Sequence, residues 1–110
     1  MTRTPEHTTF RLNEILAARP ELAPVLMDIA LELLRAEGIH PRWDSDAAHA
    51  LGFLSEEAGE LAKAVNDFHS SGGAHAHRVS MGDEATQAGA MAVRFLLNLH
   101  RFQAPKECAA

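Results

Sequence analysis

Residues 51–68, with the sequence LGFLSEEAGELAKAVNDF, combine the periodicity of a half-buried α-helix with a group of three carboxylates. At about 100° per residue, six apolar side chains fall on one arc, namely Leu51, Leu54, Ala58, Leu61, Val65 and Phe68. Glu57 and Glu60 lie beside apolar neighbours, whereas Glu56 lies nearer the face that meets water. The run therefore predicts a helix that packs along one side and carries acidic groups next to its apolar surface.

Three further segments are predicted to be helical, at about residues 10–18, 20–37 and 80–102. The first follows a polar arm that runs to about Thr9, and the second ends at Gly38, a good C-terminal cap. Ser80 is the candidate N-cap of the last helix. The run at residues 69–78 has no periodicity and is predicted to be a mobile loop or a long turn. Together the segments predict an all-α bundle of three main helices plus a short N-terminal helix.

The length of 110 residues and the 46% share of hydrophobic residues fit a single globular domain. We expect this domain to span residues 1–110, with an N-terminal arm and short helix at 1–19 and a flexible tail at 103–110. A formal net charge of -5 argues against nucleic acid as a partner, because nucleic-acid binders concentrate Lys and Arg against the phosphates.

Neither a signal-peptide pattern nor a run of about 18 apolar residues is present in the sequence. The single cysteine, Cys108, rules out an internal disulfide and is compatible with a reducing compartment. We therefore expect a cytoplasmic protein with no membrane partner.

Glu84, in the last predicted helix, is a fourth carboxylate of interest. An acidic side chain near the start of a helix favours the helix dipole, so a capping role is one interpretation. On the helical wheel, however, Glu84 lines up with Ala88, Met91 and Phe95, a stripe expected to face the bundle interior. A carboxylate that points inward needs a partner. If the last helix runs antiparallel to the helix at residues 51–68, the two helices bring their carboxylates together.

Such a cluster of carboxylates is tolerated when it is protonated, paired with cations or bound to metal. Ligands that are all oxygen select Mg²⁺, Mn²⁺ or Ca²⁺ over zinc or copper. The last helix is also apolar over much of its circumference, which indicates more than one packing neighbour and a dimer interface. The sequence thus favours a metal site shared by two helices of an oligomeric bundle.

The segment EEAGEL at residues 56–61, followed by EATQ at residues 84–87, resembles the EExxE then ExxD signature of the all-α nucleoside triphosphate pyrophosphohydrolases, the MazG-like group. The resemblance covers roughly residues 25–100. It implies a helical bundle, assembled as a homodimer or homotetramer, that binds Mg²⁺ with Mn²⁺ as a substitute. It also implies an enzyme that hydrolyses a nucleoside triphosphate between the α and β phosphates, releasing the monophosphate and pyrophosphate.

The resemblance further assigns expected roles to the acidic residues. Glu57, Glu60 and Glu84 would be metal ligands, and Glu56 would be a further ligand or the base that orients the attacking water. The final aspartate of the signature is replaced here by Gln87. A glutamine at this metal position offers a carbonyl oxygen to Mg²⁺ but no negative charge.

Three residues are candidates for substrate binding. Trp43 lies on the predicted loop ahead of the carboxylate helix, where it is either an aromatic lid on the core or a stacking platform for the nucleotide base. Lys63 follows Glu60 by about one turn, and Arg78 lies at the end of the predicted loop at residues 69–78. Both are either phosphate contacts or solvated surface residues.

Gln87 leaves open a hypothesis from a different class of protein. A catalytically impaired family member would keep the bundle and act as a nucleotide-binding or helical assembly module. A plain structural bundle with a solvated acidic face is a third hypothesis, and the inward placement of Glu84 argues against it. The sequence does not distinguish the base or the sugar of the nucleotide.

Overall fold

The structure is a computed structural model that describes residues 3–104, and every regular element in that range is helical. The elements are α1 Pro5–Ala18, α2 Leu22–Ile39, α3 Ala47–Ser70 and α4 His75–Leu97, followed by a 3-10 helix Leu99–Arg101. The expected all-α fold is confirmed. Within the described range, none of the helices is both long and apolar enough to cross a bilayer. Cys108 and most of the expected tail lie outside the described residues.

Helix α4 lies between α2 and α3 and packs against both. Its contacts with α3 are the more extensive, because a short turn joins the two helices into a hairpin. These two neighbours cover part of the apolar surface of α4, whereas Leu96 and Leu97 near its C-terminal end are 66% and 56% exposed. Helix α1 makes no extensive contact with the other helices of the described chain. The bundle consists of α2, α3 and α4.

The centre of the bundle is built from small side chains. Its buried apolar residues are Ala36 on α2, Ala50 and Ala64 on α3, and Ala90 on α4. Next to Ala90, the backbone of Gly89 lies so close to α2 that an added Cβ atom would be 3.2 Å from Ile29 Cδ1. Small side chains allow this close approach, but they remove little apolar area from water. The core within one chain is therefore thin.

Helix α3 buries a face that is rotated from the predicted arc. Leu51 and Ala58, which were expected to pack, are exposed, whereas Ala50 and Ala64 are buried. The face that α3 buries therefore carries small residues in place of the large apolar side chains of the predicted arc. Glu57 shares the side of α3 that carries the buried alanines, so the rotation turns this carboxylate toward the bundle more than the sequence pattern indicated.

The run at residues 69–78, expected to be a mobile loop or a long turn, is helical at both ends. Helix α3 continues to Ser70 and α4 begins at His75, so the connection between them is a short turn. The prediction that the last helix begins at Ser80 is therefore wrong. The placement of Arg78 on a loop is also wrong, because Arg78 lies near the start of α4.

A Schellman motif explains why the connection is so short. The amide of Gly73 donates to the carbonyl of Phe68 at 2.9 Å, and the amide of Gly72 donates to the carbonyl of His69 at 3.1 Å. The two glycines have φ angles of 70° and 87°, in the left-handed region that other residues adopt at a cost. The chain reverses within this motif, and α4 begins directly after it.

Other helix boundaries also differ from the predicted ones, and α4 ends at Leu97 and not at residue 102. Helix α1 begins at Pro5 and not after Thr9, because the hydroxyl of Thr4 caps it by accepting a hydrogen bond from the amide of His7 at 3.1 Å. Helix α2 runs past Gly38, which lacks the positive φ of a glycine cap. The observed α-helices therefore begin and end at residues other than the predicted ones, while their number is as predicted.

Replacing Gly72 by alanine is expected to lower the free energy of unfolding by about 1 kcal/mol, because an alanine is strained at a φ near 70°. The matched control is Gly82→Ala within α4, where nothing lies within 4 Å of an added Cβ atom. The control is expected to gain about 0.5 to 1 kcal/mol from helix propensity. Urea denaturation at one protein concentration measures both changes. A Gly72→Ala variant as stable as the wild type would contradict the role of this glycine in the turn.

Candidate metal centre

Three carboxylates from two helices meet at the α3–α4 hairpin. Glu57 and Glu60 are three residues apart on α3, so they share one side of that helix, and Glu84 faces them from α4. Each of the three offers one oxygen atom, and these oxygens all lie within 4.8 Å of one another. The packing of α3 on α4 thus brings together the three residues that were predicted to be metal ligands.

The three side chains differ in their access to water. Glu57 and Glu84 are half-buried and Glu60 is exposed. The Oε2 atoms of Glu57 and Glu84 are buried and accept no hydrogen bond from the described residues. A buried carboxylate oxygen without a donor is unfavourable, and a hard divalent cation satisfies several such oxygens at once. The donor set therefore fits Mg²⁺ or Mn²⁺.

Burial and mutual repulsion change the protonation of this group. Burial raises the pKa of Glu57 above its ordinary value, and repulsion from Glu60 and Glu84 raises it further. Burial also raises the pKa of Glu84, as do a hydrogen bond and charge repulsion from Glu60, while Lys63 acts in the opposite direction. Without a cation, the group therefore holds protons that an isolated carboxylate would release.

Glu56 and Gln87, the other two expected members of the site, are not part of the group of three carboxylates. Glu56 is exposed on α3 and lines a cavity together with Glu57. Gln87 is half-buried on α4, about one turn beyond Glu84. Their positions are compatible with the roles of base and weak ligand, which stay predictions.

A cavity of about 450 Å³ adjoins the carboxylates. Its walls come from the end of α2, the loop at residues 40–46, α3 and α4. Glu57 belongs both to the cavity wall and to the carboxylate group, so the two are continuous. The volume is in the range of small-molecule sites. A ligand in the cavity would lie beside the carboxylates.

Aromatic and cationic side chains also line the cavity. Trp43 and Phe53 contribute rings whose centroids are 5.5 Å apart. Arg35, Arg42 and Arg94 contribute positive charge. The sequence analysis singled out Trp43 but none of these arginines. Because Arg42 is next to Trp43 in the sequence, it could have been predicted to lie near the same ligand. The helical periodicity around Arg35 and Arg94 gives no such indication.

The two basic residues that were predicted to contact phosphate do not line this cavity. Lys63 is exposed and pairs with Asp67 at 3.4 Å. Arg78 lies over the ring of Phe68, with its Cζ atom 4.9 Å from the ring centroid. The positive charge of Lys63 lowers the pKa of Glu84, so Lys63 lies near the carboxylates. Arg78 instead packs on the ring of Phe68.

Comparison of the chain with protein-family models, with curated proteins and with solved structures gives no match. Membership of the MazG-like group therefore stays a prediction from the residues at 56–61 and 84–87. The geometry of the three carboxylates does not depend on any relative. It defines a candidate divalent-metal centre at the mouth of a ligand-sized cavity in an all-α protein.

The raised pKa values predict an unusual pH dependence for the metal-free protein. From about pH 5 to pH 7, the folded protein holds more protons on Glu57 and Glu84 than the unfolded chain does, so its stability falls as pH rises. Carboxyls with lowered pKa values, such as Glu32 and Asp44, change the pH dependence of stability only below this range. With Mn²⁺ the trend is expected to reverse, because metal binding requires ionised ligands.

Melting temperatures measured across this pH range, with EDTA or with Mn²⁺, provide the check. The double variant Glu57→Gln and Glu84→Gln removes the titrating groups, so it should flatten both trends. A metal-free wild type whose melting temperature stays constant or rises with pH over this range would contradict the prediction.

Proposed function

We propose that the protein is a Mg²⁺-dependent hydrolase that cleaves a nucleoside triphosphate between the α and β phosphates. The observation that carries the proposal is the approach of Glu57, Glu60 and Glu84 to within 4.8 Å of one another, with two buried oxygens that lack a donor. Such a group is unfavourable without a cation and suits a hard one. The resemblance of residues 56–61 and 84–87 to the MazG-like signature supplies the substrate class.

Bound Mg²⁺ would neutralise charge on the triphosphate and lower the pKa of the attacking water. In the proposed reaction, the water oxygen forms a bond to the α phosphorus, and the bond from that phosphorus to the α–β bridging oxygen breaks. The bridging oxygen leaves with pyrophosphate. Glu56, on the cavity wall beside Glu57, accepts the proton that the water loses.

The remaining contacts to the nucleotide come from the cavity wall. Trp43 and Phe53 offer aromatic surface to the base, and Arg42 offers positive charge to its phosphates. Lys63, close to Glu84, is the candidate contact for the departing pyrophosphate. These assignments place the base against the aromatic side chains of the cavity and the scissile bond near Glu57.

The alternative is a nucleotide-binding or assembly module that has lost turnover, and Gln87 is the feature that favours it. A neutral amide in place of a carboxylate lowers the affinity of a site for a cation. If Gln87 lies in the metal shell, Gln87→Glu should tighten Mg²⁺ binding and raise turnover. In an enzyme that has lost turnover, the wild type binds nucleotide without releasing pyrophosphate.

Release of pyrophosphate from a panel of ribo- and deoxyribonucleoside triphosphates, with Mg²⁺ or Mn²⁺, tests the proposal. Glu84→Gln is expected to lower kcat/KM by more than about 100-fold and to abolish Mn²⁺ binding in calorimetry, because it removes a ligand charge. Glu56→Gln should lose turnover but keep Mn²⁺ binding. Glu6→Gln in α1 is the matched control and should change neither. Full activity in Glu84→Gln, or no turnover by the wild type on any nucleotide, would contradict the hydrolase proposal.

We also propose that the protein acts as a homodimer or homotetramer. The chain exposes 8326 Å² of surface, whereas a compact monomer of 12.0 kDa exposes about 6,000 Å². Its radius of gyration is 17.3 Å, compared with about 13 Å for a compact chain of 110 residues. An excess of roughly 2,000 Å² per chain is of the size that permanent oligomers bury.

The outer face of α2 is the surface that fits a second copy best. Met27, Leu31 and Leu34 follow one another at helical spacing on this face and are 58%, 56% and 64% exposed. They lie across the helix from Ile29 and Ala36, which face α4. A helix that is apolar on both sides is normally buried on both sides. Helix α2 therefore has a packed face and an uncovered one.

Two copies of this face match each other about a two-fold axis. Antiparallel pairing near Leu31 sets Met27 of one copy against Leu34 of the other, as an isologous interface requires. The same pairing brings Asp28 of one copy near Arg35 of the other, so opposite charges flank the apolar stripe.

Light scattering is expected to give the mass of a dimer or tetramer for the wild type, and a lower mass for Leu31→Lys, because the ammonium group would be buried at the interface. Val79→Lys on α4, at a residue of similar exposure, is the control and should keep the wild-type mass. If Leu31→Lys unfolds, a wild-type melting temperature that rises with protein concentration gives the second readout. A 12.0 kDa wild type at micromolar concentration would overturn the proposal.

A further inference from the structure

Arg94 on α4 is the one buried charged residue of the described chain, at 4% exposure. None of the ion pairs within residues 3–104 includes it. Instead, its guanidinium group donates to the backbone carbonyl of His40 and, at 3.4 Å, to that of Arg42. A buried arginine that uses its charge on two loop carbonyls holds that loop to the helix.

The same guanidinium group also supports Trp43. The Cζ atom of Arg94 lies 4.7 Å from the centroid of the Trp43 ring, within the range of a cation–π contact. Phe53 touches the indole from α3. The loop at residues 40–46 has no regular hydrogen-bonded structure of its own, so Trp43 depends on these contacts for its orientation.

Trp43 still lacks a partner for its one polar atom. Its Nε1 atom is buried and donates no hydrogen bond to any described residue, although a buried indole N–H normally finds an acceptor. This atom has almost no accessible surface, so a ligand in the cavity meets Trp43 through the rest of the residue, which lines the cavity wall. A planar heterocycle suits stacking on an indole ring.

We infer that Arg94 is a positioning residue, which holds the loop at residues 40–43 so that the Trp43 indole forms a cavity wall on which a planar heterocyclic ligand stacks. The inference rests on the proposed function for the identity of that ligand as a nucleotide base. The effect of Arg94 on Trp43 is independent of the reaction. It acts on substrate binding through Trp43 and not on the hydrolytic step at Glu57.

Trp43 is the only tryptophan of the chain, so its fluorescence reports on this contact alone. Arg94→Lys keeps the positive charge, but its side chain ends about one bond short of the Nη2 atom that donates to both carbonyls, and it loses the planar group that lies over Trp43. In folded Arg94→Lys, the emission of Trp43 is expected to shift to longer wavelength and its quenching by acrylamide to increase. Arg101→Lys is the matched control, because Arg101 bonds only the nearby Asn98 side chain, and it should change neither property.

Kinetics with the nucleotide that the wild type hydrolyses fastest gives the second readout. Arg94→Lys should raise KM about 10-fold or more while kcat changes less than about threefold, because the misplaced wall weakens binding and leaves the carboxylates in place. If Arg94→Lys is folded and both Trp43 emission and quenching equal those of the wild type, the inference is wrong, whatever the effect on melting temperature. If the wild type hydrolyses no nucleotide, the proposed function fails, while the fluorescence result still decides whether Arg94 positions Trp43.

Discussion

The approach of like charges at the α3–α4 hairpin is the interaction on which the rest of the site depends. Glu57, Glu60 and Glu84 repel one another and lose hydration, and both effects raise the pKa of the two half-buried members. The fold keeps them together because α4 packs along α3 and because the Schellman motif fixes where α4 begins. A divalent cation would turn this repulsion into attraction, which is why the arrangement is most readily understood as a binding site.

The thin core has a consequence for the whole molecule. The buried apolar side chains of the described chain are all alanines, and each contributes little free energy of burial. Large apolar side chains such as Met27 and Leu34 remain on the surface of α2. One chain gains little stability from its own core. We therefore expect a second copy to supply the missing apolar burial, so that the site and the cavity are stable only in the assembled protein.

The sequence predicted the helical class and the three central carboxylates because both follow from local rules. Periodicity identified α2, α3 and α4, and the wheel position of Glu84 indicated that it faces inward. The sequence did not predict the rotation of α3 that exposes Leu51, because that rotation is decided by which neighbour packs closest. The contact of Arg94 with the loop carbonyls joins residues more than 50 positions apart, and no short-range pattern shows it.

The central claim is that Glu57, Glu60 and Glu84 together bind a divalent cation. Crystals grown with Mn²⁺ and measured at a wavelength near the manganese edge test this directly, since anomalous scattering locates the ion without assumptions about activity. The account predicts an anomalous peak between these three carboxylates, within about 2.0 to 2.6 Å of their oxygens. Crystals that contain Mn²⁺ and show no peak there, or a peak elsewhere only, would contradict it.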